Sequence, residues 1–174
     1  MLIQAAAHAK KAAAKKDPGW FYHLLATITF SALAIEAICN SVGERVVVDW
    51  QDFEGSSPNA KLRLLAERLS VPYSKLDEPW STARQLVKFR NLIAHAKPEF
   101  IIEERVMTQD ENEKRLFDQP KSKLETLITS GNADRALQAA EKIKDLFLQE
   151  LTPDQKLGLT IDGWSGSTKV YNDT

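Results

Sequence analysis

Three polar residues near the middle of the chain, Arg90, Asn91 and His95, carry side chains that suit phosphodiester chemistry. A guanidinium holds phosphate oxygens in a fixed fork, and an imidazole can move a proton near neutral pH. An amide can orient either group or hydrogen-bond a ribose hydroxyl. Clustered at a helix end, these three side chains predict a site that binds a phosphodiester.

The spacing of the three residues limits how one chain can use them. Asn91 and His95 are four residues apart and share a helix face. Arg90 and His95 are five apart, which separates them by about 140° on an ideal helix. One chain therefore cannot easily aim both side chains at one atom, unless the helix end is distorted or a second chain brings its own copy.

Arg90 stands among apolar residues in the helical pattern. Leu86 and Val87 lie one turn before it, and Ile93 and Ala94 lie one turn after. Arg90 is therefore expected within the apolar stripe of its helix, where an unpaired arginine would cost several kcal/mol to bury. It needs a carboxylate, an anionic ligand or an interface cleft that stays wet.

Each of these residues also has a purely structural interpretation. Arg90 can pair with Glu36 of the preceding long helix, and this pairing is compatible with a binding role because a carboxylate can hold the arginine ready. His95 can hydrogen-bond a carbonyl at the helix end. Asn91 can link two helices by a hydrogen bond.

The helices that must position these residues follow from the apolar periodicity. A long helix is predicted to begin at Asp17–Pro18 and to end near Val46–Val48. Shorter helices are predicted over 59–69, 80–96 and 121–129, and another, capped by Gly131–Asn132, runs to Leu151. The stripe of the long helix recurs at intervals of three or four residues: Phe21, Leu25, Ile28, Ala32, Ile35, Cys39, Val42 and Val46.

This pattern predicts an all-α fold, an up-and-down bundle of about five helices. Residues 1–17 form an Ala/Lys-rich helix or arm, residues 18–157 the helical domain, and residues 158–174 a loosely held tail. The uncharged stretch 18–35 approaches the length of a membrane span. Its interruption by His23, Thr27 and Ser31 favours a buried core helix instead.

Composition excludes several classes of protein. The 174 residues include 23 Lys and Arg against 24 Asp and Glu, a formal net charge of −1, which excludes a polybasic polymer binder. The single cysteine, Cys39, excludes a disulfide framework and a Cys-based zinc site within one chain. No glycine-rich phosphate loop is present. The sequence therefore predicts no metal and no cofactor, in a reduced, cytoplasmic setting.

Residues 89–98, Phe-Arg-Asn-Leu-Ile-Ala-His-Ala-Lys-Pro, resemble the signature of the HEPN superfamily (higher eukaryotes and prokaryotes nucleotide-binding). That signature is an Arg, usually followed by a polar residue and then, after a short gap, by a His. The long helix with Glu36 and Asn40 also looks like the first core helix of the family. By helix pattern the resemblance covers roughly residues 18–151, and the six-residue motif is its specific part.

The resemblance implies a bundle that forms a homodimer with the two motif helices facing each other. It also implies a metal-independent endoribonuclease centre in the cleft, built from both copies of Arg90 and His95. His95 is then the general acid and base for attack of a ribose 2′-hydroxyl, Arg90 stabilises the phosphorane, and Asn91 positions the substrate or His95. The expected supporting residues are Glu36, Asn40, Lys88 and Lys97.

The same resemblance implies an RNA substrate and a role as a toxin or antiphage effector, in some members with a nucleotidyltransferase antitoxin as partner. The alternative is a catalytically silent HEPN-like module that binds a protein partner or a nucleotide. Residues 80–98 carry four cations, Arg84, Lys88, Arg90 and Lys97, and no acid, whereas residues 99–118 carry seven acids against three bases. Two facing motif helices would therefore bring a charge of +8 to an RNA-binding seam.

Overall fold

The computed structural model describes residues 1–95, 98–102, 104, 106, 108–114, 121–157 and 159. Within these residues the chain forms eight α-helices, one 3₁₀ helix and no strand. Five of the α-helices are longer than ten residues, which confirms the predicted all-α bundle of about five helices. The α-helices are α1 (Leu2–Ala13), α2 (Trp20–Val46), α3 (Pro58–Arg68), α4 (Trp80–Ala94), α5 (Gln109–Lys114), α6 (Lys123–Leu127), α7 (Ser130–Glu150) and α8 (Pro153–Lys156), and the 3₁₀ helix is Trp50–Phe53.

The long helix α2 is the centre of the bundle, in contact with α1, α3, α4 and α7. Neighbours on several sides bury more than one stripe of it, which is why the predicted stripe is only partly right. Ile28, Ile35, Cys39 and Val42 are buried as predicted, whereas the other four members are only half-buried. The buried positions that the stripe missed are Leu24, Thr27, Ser31, Ala34, Ile38 and Gly43.

By length and composition alone, α2 would also qualify as a membrane-spanning helix. In its most apolar stretch, 44% of the residues are buried inside the bundle, and core helices of soluble proteins pass the same test. The apolarity of α2 is therefore weak support for a span, and its packing against four other helices agrees with the core position predicted for it.

Two helices begin later or earlier than predicted. α2 begins at Trp20 after Gly19, whose φ of 94° permits a left-handed turn, and not at Asp17–Pro18. α7 is capped by Thr129, whose hydroxyl accepts the backbone N–H of Asn132, so the predicted cap Gly131–Asn132 lies inside the first turn. α8 begins with a capping box, in which the hydroxyl of Thr152 accepts the backbone N–H of Gln155.

The structure describes the N-terminal segment but almost none of the predicted C-terminal tail. Residues 1–17 contain α1, which packs along α2 with Ile3, Ala6 and Ala13 buried. The predicted tail, residues 158–174, lies outside the described residues except for Leu159. The apolar residues that recur at the helical period in the last predicted helix are all in the core, Ala136, Leu137, Ala140, Ile143, Phe147 and Leu151, and Ala133 and Ala139 of α7 are buried as well.

The helix that carries the motif, α4, is fixed at its beginning. The Glu78 carboxylate accepts hydrogen bonds from the hydroxyls of Ser81 (2.6 Å) and Thr82 (2.8 Å). The Trp80 indole donates to the carbonyl of Pro72 (3.1 Å) and its ring packs against Phe147 of α7. These contacts set the direction of α4 and hence the position of the motif at its other end.

Candidate functional site

The centre of the candidate site is an ion pair between α4 and α2. Nη2 of Arg90 lies 2.7 Å from Oε2 of Glu36, and the two side chains are 35% and 27% exposed. Glu36 is thus the carboxylate that the sequence proposed for Arg90. Because the pair is partly hydrated, it contributes no more than about 1 kcal/mol to stability. Its clearer effect is to hold the guanidinium in one orientation.

The exposure of Arg90 corrects its predicted burial. The buried face of α4 contains Ala83, Leu86 and Phe89, and Arg90 borders this face instead of lying within it. The reason is that Ile93 is only half-buried and Ala94 is exposed, so the apolar stripe ends one turn early. The guanidinium therefore has access to solvent and to a ligand as well as to Glu36.

Asn91 lies beside Arg90 and contacts it directly. Nη1 of Arg90 donates to Oδ1 of Asn91 at 3.1 Å. The amide oxygen is thereby used, which leaves the two N–H donors of Asn91 for another partner. Asn91 is exposed, so those donors are open to a ligand.

His95 is the residue that follows α4. Its backbone N–H donates to the carbonyl of Asn91 at 3.0 Å, the last helical bond, and its φ of −121° and ψ of 36° leave the helical region. The side chain is exposed and makes no hydrogen bond to any described residue. The proposed carbonyl partner for the imidazole is therefore absent from the described part of the chain, and the imidazole is free to meet a ligand.

The solvent face of α4 is rich in cations. Arg84, Lys88, Asn91 and His95 follow one another at intervals of four, three and four residues, so they share one face. Arg84 is half-buried and the other three are exposed. Lys97, the fourth predicted cation, lies outside the described residues. Glu36 offsets Arg90, so the positive charge of this end is lower than the count within 80–98 indicates.

One further polar contact, which was not predicted from the sequence, joins α2 to α3. Nζ of Lys61 donates to Oδ1 of Asn40 at 2.8 Å and lies 5.8 Å from the centre of the Trp50 ring. Lys61 is buried, with 2% of its side chain exposed. The sequence feature that drew attention to Arg90 is also present here, because Lys61 is a cation in an otherwise apolar stripe, four residues before Leu65.

Cys39 lies between these polar groups but does not share their chemistry. Burial raises the pKa of its thiol from 9.0 to about 12, opposed by the charge of Lys61 and reinforced by that of Glu36. A thiol that stays protonated is a poor nucleophile. Cys39 therefore has an inert thiol, at one of the core positions that the apolar stripe of α2 predicts.

No three His, Cys, Asp or Glu side chains within the described ranges are close enough to share a metal ion. The expectation of metal-independent chemistry stays a prediction. Comparison of the chain with protein-family models, with curated proteins and with solved structures gives no match. The resemblance to the HEPN superfamily therefore rests on the residues quoted for it.

Proposed function

We propose that this chain is a metal-independent endoribonuclease of HEPN type, acting in the cytoplasm as a toxin or antiphage effector. The observation that carries the proposal is the end of α4. There a guanidinium held by Glu36 contacts an exposed amide, and an exposed imidazole follows at the end of the same helix. A helix end that presents these three groups on a cationic face has the donors and the proton carrier that RNA cleavage needs.

In the proposed reaction the ribose 2′-oxygen attacks the adjacent phosphorus. The 2′-O–P bond forms, the bond from phosphorus to the 5′-oxygen breaks, and the products are a 2′,3′-cyclic phosphate and a 5′-hydroxyl. One His95 imidazole takes the proton of the 2′-hydroxyl and an imidazolium gives a proton to the leaving oxygen. Arg90 stabilises the charge on the phosphorane, and the Asn91 amide orients the substrate.

The proposed site is completed by a second copy of the chain. Arg90 turns toward α2, whereas His95 belongs to the exposed face of α4, so the two groups diverge within one chain. A homodimer through α4 would bring the imidazole of one copy next to the guanidinium of the other. Leu92, an apolar residue of α4 that is 37% exposed, supplies apolar surface for such a contact.

Cleavage of total RNA by purified proteins tests the proposal. We expect His95→Ala to lower the rate by about 10²- to 10⁴-fold, because it removes the general acid and base. We expect Arg90→Lys to lower it by about 10²-fold, since a lysine keeps the charge but not the fork. His23→Ala is the matched control, because His23 is an exposed histidine of α2 without a hydrogen bond from its side chain to any described residue.

Two outcomes would reject the nuclease. One is an inactive wild type under all conditions tested, which would favour the silent module that binds a protein or a nucleotide. The other is cleavage that neither substitution at Arg90 nor at His95 reduces below the His23→Ala control. A toxin role further predicts that expression of the wild type arrests bacterial growth and that co-expression of an antitoxin of nucleotidyltransferase type restores it.

A further inference from the structure

Lys61 is the one charged side chain that is buried among the described residues. Its ammonium makes a single hydrogen bond, to Asn40, and lies over the Trp50 ring. No described carboxylate forms an ion pair with it. Burying a charge in this way is costly. A methionine of similar length would join α3 to α2 without that cost, so packing alone does not account for a lysine.

The chemistry of an ammonium fixes the orientation of its partner. An ammonium only donates hydrogen bonds, so the Asn40 amide must turn its oxygen toward Lys61. The two N–H donors of the amide then point away from Lys61. Asn40 is only half-buried, and no described residue accepts a hydrogen bond from its amide nitrogen. The two N–H groups of the Asn40 amide are therefore available to a ligand, and the buried ammonium of Lys61 holds the amide in this orientation.

Asn40 also shares a face of α2 with Glu36, the carboxylate of the Arg90–Glu36 pair. Glu36 and Asn40 are one helical turn apart on α2, which places their β-carbons about 5–6 Å from each other. Glu36 holds the Arg90 guanidinium. α2 thus carries a neutral donor one turn from the carboxylate that holds the arginine of the motif, and Lys61 sets the orientation of that donor.

We propose that Lys61 is a positioning residue that orients the Asn40 amide to donate to a phosphate oxygen of the RNA bound at Arg90. RNA as the ligand rests on the proposed function. Phosphate oxygens accept hydrogen bonds and do not donate, so they match a site with the donors of Arg90 and Asn40. The carboxylate of Glu36, already engaged by Arg90, repels such a ligand less than a free carboxylate would.

A dinucleotide with a 2′-deoxyribose, which cannot be cleaved by 2′-oxygen attack, tests this inference by NMR on the ¹⁵N-labelled wild type. We expect the side-chain amide signals of Asn40, identified by their loss in Asn40→Asp, to shift on titration. We expect Lys61→Met to abolish that shift and to weaken dinucleotide binding by about 3- to 10-fold. Its unfolding temperature should stay the same or rise. Arg63→Met, which removes a charge from the exposed side of α3, should bind like the wild type.

If Lys61→Met does not fold, Asn40→Asp tests the role of the Asn40 amide in binding. It keeps an acceptor for Lys61 but has no N–H donor, so it should fold and bind more weakly than Ala37→Asp. That control adds the same charge at an exposed position of α2. The inference is overturned if the Asn40 signals do not respond, if folded Lys61→Met binds like the wild type, or if Asn40→Asp matches Ala37→Asp. A wild type that binds with the Asn40 shift but cleaves no RNA would reject the nuclease alone.

Discussion

At the scale of single residues, the site is a set of polar groups that hold one another. Glu36 holds Arg90, Arg90 holds Asn91, and Lys61 holds Asn40. The contact at Arg90 is partly exposed, so it fixes orientation while adding little to stability. The contact at Asn40 is formed by a buried ammonium, so its cost must be met by the packing around α2 and α3.

Cys39 gives a prediction on pH at this scale. The pKa of its thiol is about 12 in the folded chain and 9.0 ordinarily. Above pH 9 the unfolded chain loses the proton and the folded chain keeps it, so the folded state loses stability between pH 9 and about 12. The free energy of unfolding, measured in urea, should fall more steeply over this pH range for the wild type than for Cys39→Ala. Parallel curves for the two proteins would contradict the burial of the thiol.

At the scale of elements, the apolar periodicity is enough to find the helices but not their edges. The apolar period of α7 locates most of its buried face but misses Ala133 and Ala139, because α7 packs against α1, α2 and α4. The stripe of α2 is wrong at half its positions, because this helix is buried from several sides. The caps at Gly19 and Thr129 depend on backbone turns and local hydrogen bonds, which residue spacing does not reveal.

The hydrogen bonds of Glu78 at the start of α4 predict how the stability of the chain depends on pH. Burial would raise the pKa of Glu78, but hydrogen bonds from Ser81 and Thr82 outweigh it and lower the pKa below its usual value of 4.5. The stabilisation is therefore complete above pH 4.5 and is lost as the pH falls through the lowered value. Glu78→Ala should reduce the free energy of unfolding at pH 7 by about 1–2 kcal/mol, since the buried Thr82 hydroxyl loses its acceptor.

Chemical denaturation at pH 7 and pH 3 measures this effect. Glu78→Gln keeps an acceptor, so it should lose less free energy of unfolding at pH 7 than Glu78→Ala. Its free energy of unfolding should also depend less on pH than that of the wild type. Glu54→Gln removes an exposed carboxylate without a hydrogen bond to any described residue, and it serves as the control. An equal acid dependence in Glu78→Gln and the wild type would show that Glu78 does not anchor α4.

At the scale of the whole molecule, an almost neutral chain carries a cationic end on α4. The acidic residues that follow α4 do not all offset this positive charge. The Glu99 carboxylate lies 3.1 Å from the backbone nitrogen of Lys123 and 3.6 Å from the ammonium of Lys123. This pairing directs at least one carboxylate toward α6. A dimer through α4 would therefore join two cationic faces, and an RNA phosphate between them would relieve the repulsion.

The proposed dimer can be tested on the whole molecule. Leu92→Asp should convert the dimer to a monomer, because it places a desolvated charge in the proposed α4 contact. Sedimentation velocity measures the change, and RNA cleavage should fall with the dimer fraction. Leu76→Asp, an equally large change at a residue that is 88% exposed between α3 and α4, should leave the dimer intact. A wild type that is monomeric, or a Leu92→Asp protein that is still dimeric, would contradict the composite site.

How far the sequence predicts the site depends on how local each contact is. The six-residue motif locates Arg90, Asn91 and His95 at a helix end, because residue type and spacing within one helix suffice. The Arg90–Glu36 pair is foreseeable as soon as an arginine borders an apolar stripe and a carboxylate borders its neighbour. The bond between Lys61 and Asn40 joins α3 to α2 across 21 residues of sequence, so it depends on packing that periodicity does not specify.

In the proposed function, His95 catalyses attack of a ribose 2′-oxygen on phosphorus. The most direct measurement is the end group left on an RNA oligonucleotide cleaved by the purified wild type in the presence of EDTA. We expect a 2′,3′-cyclic phosphate, no cleavage at a nucleotide whose 2′-hydroxyl is replaced by hydrogen, and a loss of about 10²- to 10⁴-fold in the rate of His95→Ala. Products with a 3′-hydroxyl, a requirement for a divalent cation, or full activity of His95→Ala would contradict it.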